Sequence, residues 1–168
     1  FAVLLRFLLQ LVRADFYNPI AQFLVTITNP PLKPLRRVIP GLYGIDLASV
    51  VLLLLLELVF QTLHATLLSQ PLTPATLLVK SVFDLLHNTL NIYLFGILIM
   101  VILSWINPYP NALSQLLGRL TGPVLRPVRQ MIPPFSGIDL SPMVVLVAIA
   151  LVQMALPYLE RGTLDLLR

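Results

Sequence analysis

The sequence predicts an all-α integral membrane protein with four transmembrane helices, arranged as two parallel tandem repeats. Hydrophobic residues make up 58% of the 168-residue chain and charged residues only 11%, whereas a soluble domain carries about 25% charged residues. The apolar residues form long runs at 48–60, 92–106 and 143–156, and a helix needs about 20 mostly apolar residues to cross a bilayer core. The third observation is an internal repeat.

A shift of 93 residues aligns residues 18–47 with 111–140 without a gap, and 14 of the 30 aligned positions are identical. Each copy is expected to contain a transmembrane helix, a short interfacial amphipathic helix, a Pro- and Arg-rich loop and a second transmembrane helix. Since each copy then contributes two spans, both copies enter the membrane in the same direction and form a parallel repeat. The predicted spans are 1–13 (truncated at its start), 47–69, 89–107 and 142–159. The repeats cover 1–69 and 89–168, and 70–88 is predicted to be a connector and the amphipathic start of the third helix.

The segment after the first span of each repeat carries apolar residues at helical spacing, which predicts an amphipathic helix along the membrane interface. These residues are Ile20, Phe23, Leu24 and Ile27, and in the second copy Leu113, Leu116, Leu117 and Leu120. At 10–12 residues the segment is too short to span. The following P-x-L-[KR]-P-x-R-x-x-I-P strings predict extended loops, since proline removes backbone donors and disfavours a continuing helix.

Basic residues are concentrated in the two repeat segments. They are Arg13, Lys33, Arg36, Arg37, Arg119, Arg126 and Arg129. The positive-inside rule places these segments in the cytoplasm and both termini in the periplasm. The basic side chains are predicted to bind lipid or a partner: they are either topology determinants that anchor to anionic headgroups or a docking surface for an acidic partner segment. Nucleic acid is not an expected direct partner, because aromatic residues do not alternate with the basic ones.

Each Pro- and Arg-rich string is followed by G-I-D-L. Gly44 and Gly137 are predicted to permit the turn back into the membrane, and Asp46 and Asp139 are predicted to cap the next helix. An ion pair from Arg36 to Asp46, or from Arg129 to Asp139, is a further expectation.

Charged residues inside the first two spans predict an intramembrane pair between Arg6 and Glu57. Such groups are costly in a bilayer and indicate function by default. The pair is either a packing contact that fixes helix register or part of a proton or ion pathway. Further candidates to line that pathway are His64, Asn88, Asn91 and Gln153. No metal or cofactor is expected, because the chain has no cysteine and no third ligand stands near the two histidines.

With its two copies of P-x-L-[KR]-P-x-R-x-x-I-P followed by G-I-D-L, the chain resembles the YggT family of bacterial membrane proteins, with YlmG relatives in Gram-positive bacteria, cyanobacteria and chloroplasts. The doubled arrangement resembles the gammaproteobacterial form. The resemblance implies a location in the bacterial inner membrane. It also implies links to osmotic-stress tolerance and ion uptake, to cell division, or, in plastids, to haem attachment on a b-type cytochrome. One departure is Gln130, which stands where the first copy has Arg37.

Two functions fit these observations. The first is a non-enzymatic organiser, assembly or stress-tolerance factor, with anionic lipids and a membrane protein or a second copy of the chain as partners. The second is an ion channel or transport component in osmotic adaptation that uses Arg6, Glu57 and the polar helix faces. An enzyme is not expected, since no nucleophile–base pair, metal cluster or phosphate-binding loop is visible.

Overall fold

Six α-helices make up the regular structure of the residues described, with no strand among them. The computed structural model describes residues 1–42, 44–69, 73–106, 109–132 and 139–166. The helices are α1 (Ala2–Leu11), α2 (Pro19–Val38), α3 (Leu47–Leu67), α4 (Pro74–Ile106), α5 (Ala112–Met131) and α6 (Ser141–Leu166). The all-α prediction is confirmed.

Three helices are long and apolar enough to cross a membrane: α3, α4 and α6, with mean hydropathies of 2.0, 2.2 and 2.1. Their outward faces carry large apolar side chains, among them Phe60 on α3, Phe95 on α4 and Leu151 on α6, each about 60% exposed. An apolar surface of this extent is typical of helices that contact lipid. The predicted first span corresponds to α1, a shorter apolar helix of 10 residues.

The prediction of extended Pro- and Arg-rich loops is wrong. α2 runs for 20 residues through Pro30, Pro31 and Pro34, and α5 runs for 20 residues through Pro123 and Pro127. The amphipathic helices are therefore about twice as long as expected, and they contain most of the repeat motif.

The helix continues because the apolar spacing continues. Leu24, Thr28 and Leu32 are buried at intervals of four residues on α2, and this stripe passes directly through the proline segment. Each interior proline leaves one backbone carbonyl without its helical donor. All five prolines are exposed, so the freed carbonyls lie near the accessible side of the helix, where solvent or headgroups can satisfy them.

The core has two clusters joined through α5. In the first, Leu9 of α1 and Leu32 of α2 pack with Leu120 of α5 and residues of α3. In the second, Ile97 of α4 packs with Leu125 of α5 and with α6. Where these helices lie in lipid, close van der Waals packing between them, rather than removal of apolar surface from water, stabilises the clusters. α5 thereby contributes to both clusters, and so does α4, whose Tyr93 packs against each of them.

A hydrogen bond joins the starts of α2 and α5. Asn18 precedes α2, accepts from the Ile20 amide at 2.9 Å and donates from Nδ2 to the Ala112 carbonyl at 2.6 Å. Asn111, the equivalent residue 93 positions later, caps α5 by accepting from the Ser114 amide at 2.8 Å. The two amphipathic helices thus begin side by side.

Candidate binding site between α1, α2 and the turn before α3

A tight turn connects α2 to α3 and brings the end of one to the start of the other. Leu42 and Ile45 exchange backbone hydrogen bonds of 3.0 and 2.9 Å. Gly44 has a φ of +83°, in the left-handed region where a side chain is strained. The sequence prediction that Gly44 permits a turn fits this conformation.

Asp46 lies directly after the turn and is held by Arg36 and Ser49. Its Oδ2 accepts from Arg36 Nε at 3.1 Å and Nη2 at 2.5 Å, and from Ser49 Oγ at 2.5 Å. The Asp46 side chain is 7% exposed and that of Arg36 is 36% exposed. Asp46 occupies the N-cap position of α3, and its carboxylate contacts the first turn of that helix through Ser49. Its side chain therefore ties the end of α2 to the start of α3.

A looser version of this arrangement occurs in the second copy. Asp139 accepts from Arg129 Nε at 2.8 Å, and from the Ser141 amide at 2.9 Å and its hydroxyl at 2.6 Å. The Arg129 and Asp139 side chains are 47% and 36% exposed. Both ion pairs expected from the motif are present. Asp139 receives the first amide of α6, as a capping residue does. Gly137 lies outside the described residues.

Both carboxylates remain charged to lower pH than an ordinary aspartate. Burial by itself would raise the pKa of Asp46, but the hydrogen bonds from Arg36 and Ser49 and the charge of Arg36 outweigh it, so the pKa is lowered. Burial likewise opposes the shift at Asp139, where hydrogen bonds from Ser141 and Arg129 lower the pKa. Each ion pair is thus intact at neutral pH.

The predicted basic residues are all exposed. Besides Arg36 and Arg129 they are Arg13, Lys33, Arg37, Arg119 and Arg126. Residues spaced by four, seven and four positions share one face of a helix. On α2 these residues are Gln22, Thr26, Lys33 and Arg37, and on α5 they are Gln115, Arg119, Arg126 and Gln130. We call these two sets the polar faces. They occupy equivalent positions, 93 residues apart.

The structure does not bring Arg6 and Glu57 together. Arg6 Nη1 donates instead to three oxygens of α2: Thr28 Oγ1 at 2.6 Å, Asn29 Oδ1 at 3.0 Å and the Val25 carbonyl at 3.4 Å. The ion pairs within the described residues are those of Arg36 and Arg129, and Arg6 belongs to neither. The prediction failed because α1 packs against α2 as well as α3, and Arg6 meets oxygen acceptors on α2 instead of Glu57.

A cavity of about 960 Å³ opens between α1, α2 and the turn. Its polar wall includes Arg6, Gln10, Gln22, Arg36 and Asp46, and its apolar wall includes Phe16, Val25, Ile39 and Ile45. Sequence reasoning missed this cavity. The one available signal was that Arg6 and Gln10 are four residues apart and therefore share a face of α1.

The CCB3/YggT family model matches residues 1–67 and 79–159 of the chain. The chain belongs to the CCB3/YggT family. A relative from Pseudomonas aeruginosa, named an uncharacterized protein, is 45% identical over 155 residues, which are 90% of this chain and 79% of that protein. YggT of Escherichia coli K12, also named uncharacterized, is 33% identical over 166 residues, 98% of this chain and 86% of that protein.

A more distant relative comes from a plant. YlmG homolog protein 2, chloroplastic, of Arabidopsis thaliana is 40% identical over 75 residues, 43% of this chain and 30% of that protein. No solved structure matches the chain. The resemblance to YggT is confirmed over nearly the whole sequence, and the names of these relatives state no reaction.

This CCB3/YggT chain also has polar contacts between its candidate spans. Gln153 of α6 donates to Asn91 of α4 at 2.8 Å, and Gln61 of α3 donates to Asp84 of α4. A recess of about 270 Å³ lies next to the second contact. It is lined by Phe60, Gln61, His64, Lys80, Asp84 and Glu160. Because α3 is about 30 Å long at 1.5 Å per residue, this recess lies at the opposite end of α3 from the Asp46 turn.

Glu57 lies on α3, one helical turn before Gln61, and is partly buried. Sequence reasoning had selected Glu57, His64, Asn91 and Gln153 but not Asp84, Lys80 or Glu160. The charge of Asp84 within a long apolar helix was the signal that could have found the recess. Within the described residues, no group of three or more His, Asp or Glu is placed to hold a metal ion.

Proposed function

We propose that this CCB3/YggT-family protein is a non-enzymatic membrane organiser, an assembly or stress-tolerance factor. Its polar faces on α2 and α5 bind anionic lipid headgroups and a membrane-protein partner. The observation that carries the proposal is the presence of two equivalent, exposed, basic helix faces on a chain whose other surfaces are largely apolar. Basic residues at a membrane surface attract anionic lipids by about 1 kcal/mol each.

The proposal includes a membrane arrangement. α1, α3, α4 and α6 form four membrane-embedded helices in two parallel units, and α2 and α5 lie along the cytoplasmic face of the bacterial inner membrane. Two features support it: α2 and α5 both have 20 residues and start 93 residues apart, and the basic residues concentrate there, as the positive-inside rule requires of cytoplasmic segments. Both termini are then periplasmic.

Charge reversal on the polar faces tests the organiser function. Arg36 and Arg129 are unsuitable because they hold Asp46 and Asp139, so the change is Lys33→Glu with Arg37→Glu on α2. Arg161→Glu serves as the control, because it reverses the charge of one basic residue at an exposed site on α6, away from the polar faces.

The assay is affinity purification of the full chain from cells in mild detergent, with quantitative mass spectrometry of co-purifying membrane proteins. We expect at least a tenfold loss of partner on reversal at α2 and no loss with Arg161→Glu. The same partners in the same amounts after reversal would contradict the proposal.

A second candidate is an ion-conducting component in osmotic adaptation. The polar contacts Gln61–Asp84 and Asn91–Gln153 between candidate spans favour it, as does Glu57 within α3. Glu57→Gln would then reduce ion flux in liposomes that contain the purified protein by tenfold or more. Unchanged flux in properly inserted Glu57→Gln protein would reject this candidate.

A further inference from the structure

Arg6 is a buried cation that forms no ion pair with an acidic side chain among the residues that the structure describes. It is 5% exposed, and Arg36 and Asp46 both lie within electrostatic range of it. Asp46 is already occupied by Arg36 and Ser49. The three charges therefore sum to +1, and a buried unpaired charge is costly in a protein that lies within a membrane.

The guanidinium of Arg6, which lines the cavity, has donors beyond those that contact α2. Its hydrogen bonds to α2 all come from Nη1, whereas a guanidinium has five N–H groups arranged for bidentate contact with an oxyanion. Within the described residues, Ser81 Oγ is the side-chain polar atom that is fully enclosed and has no hydrogen-bond partner. No nitrogen of Arg6 is in that state. The Nε and Nη2 groups of Arg6 are therefore not fully enclosed, and Arg6 is one of the residues that line the cavity.

We propose that the cavity between α1, α2 and the turn is a discrete site for the headgroup of one anionic phospholipid, and that Arg6 is its phosphate ligand. One negative charge balances the excess of +1. Gln10 and Gln22 supply hydrogen-bond donors for phosphate or glycerol oxygens, and Phe16, Val25 and Ile45 form an apolar wall for the glycerol backbone and upper acyl chain. A phospholipid fits this mixed wall better than free phosphate, which has no apolar part. The inference rests on the proposed function in one respect, the position of α2 at a membrane surface.

The second repeat provides an internal comparison. Residues 93 positions after Arg6 and Gln10 are Ile99 and Leu103, while Arg129 and Asp139 repeat the ion pair. The second unit thus keeps the tie between helices and lacks the unpaired cation. We expect one tightly held lipid per chain and not two.

Native mass spectrometry of the full chain in mild detergent, titrated with phosphatidylglycerol, tests the site. Wild type should retain one phosphatidylglycerol under activation that removes the others, and should hold phosphatidylcholine at least tenfold more weakly. Arg6→Gln should weaken retention at least tenfold, and Arg6→Lys should restore part of it. Arg161→Gln is the matched control for loss of one positive charge and should leave retention unchanged.

A second variant guards against misfolding of Arg6→Gln. Thr26 is exposed and lines the cavity, so Thr26→Trp should fill the cavity and also weaken retention at least tenfold. Retention within twofold of wild type in either variant would overturn the inference. So would an equal loss on Lys33→Gln, which indicates a diffuse basic surface, or displacement of the lipid by millimolar inorganic phosphate, which indicates a soluble anion. None of these results depends on the partner measured by charge reversal, so the two proposals can fail separately.

Discussion

The ion pair at the start of α3 is expected to contribute more to stability than its counterpart at the start of α6. Asp46 accepts two N–H groups of Arg36 and one hydroxyl, and its side chain is 7% exposed. Asp139 accepts one N–H group of Arg129 together with the amide and the hydroxyl of Ser141, and it is 36% exposed. The substitutions Asp46→Asn and Asp139→Asn remove the negative charge and leave the shape of each side chain.

The difference in burial sets the magnitudes. Breaking a buried pair costs about 3–5 kcal/mol because the remaining charge is uncompensated. Because the Arg36 side chain is 36% exposed, solvent would partly compensate its charge after the substitution. We therefore expect Asp46→Asn to lower the free energy of unfolding by about 2–3 kcal/mol, which is less than for a fully buried pair. An exposed pair contributes about 0–1 kcal/mol, and an asparagine at 139 still accepts from the Ser141 amide. Asp139→Asn should therefore cost no more than about 1 kcal/mol.

Equilibrium unfolding in mixed micelles of mild detergent and dodecyl sulfate, followed by far-UV circular dichroism, measures both free energies. The two variants carry the same chemical change at equivalent positions, so each is the control for the other. Equal losses in the two variants, or a loss below about 0.5 kcal/mol for Asp46→Asn against the several kcal/mol of a buried pair, would refute the reasoning.

Three further predictions follow from the same contacts. Because the pKa of Asp46 is lowered in the folded protein, the unfolded chain takes up this proton first. The contribution of Asp46 to stability should therefore be constant above about pH 5 and fall as the pH decreases from the ordinary aspartate value of about 3.9. Asp46→Asn, measured by the same unfolding assay, should lose this part of the pH dependence. Gly44→Ala should lower the free energy of unfolding by about 1–2 kcal/mol, because Gly44 has a positive φ. Gly118→Ala, at a helical position with open space around it, should leave the free energy of unfolding unchanged or raise it. Equal losses in the two variants would contradict the role given to the positive φ of Gly44. Asn18→Ala removes both the cap of α2 and the bond to Ala112 and should lower the free energy of unfolding by about 1–2 kcal/mol, and an unchanged value would show that neither bond contributes.

The membrane class, the family and the position of three long apolar helices could be predicted from the sequence, because composition and run length report directly on the surrounding solvent. The course of α2 and α5 could not be predicted by reading the prolines alone. Leu32 and Leu125 continue the apolar spacing beyond Pro30 and Pro123, and that burial outweighs the loss of backbone hydrogen bonds at exposed prolines. The local preference of proline against a helix is therefore overridden where the apolar face on both sides of it is buried.

The candidate site was only partly predictable for a different reason. The bridge from Arg36 to Asp46 could be anticipated because both residues belong to one repeated motif. The environment of Arg6 depends on which helix packs against α1, and no pattern within the first span specifies that neighbour. Thr28 accepts a hydrogen bond from Arg6 Nη1. The second repeat has a threonine at the equivalent position, Thr121, but that residue contacts the sulfur of Met100 instead of an arginine. Identical motif residues therefore do not imply equivalent sites.

Accessibility of introduced cysteines tests the central claim most directly, that α2 and α5 lie on the same, cytoplasmic side of the membrane with their polar faces outward. The chain has no cysteine of its own, so Gln22→Cys and Gln115→Cys report equivalent exposed positions, and Ala75→Cys reports the start of α4 at the other end. With a membrane-impermeant maleimide, the account predicts labelling of positions 22 and 115 in inverted membrane vesicles and of position 75 in right-side-out vesicles. Labelling of positions 22 and 115 from opposite sides would contradict it.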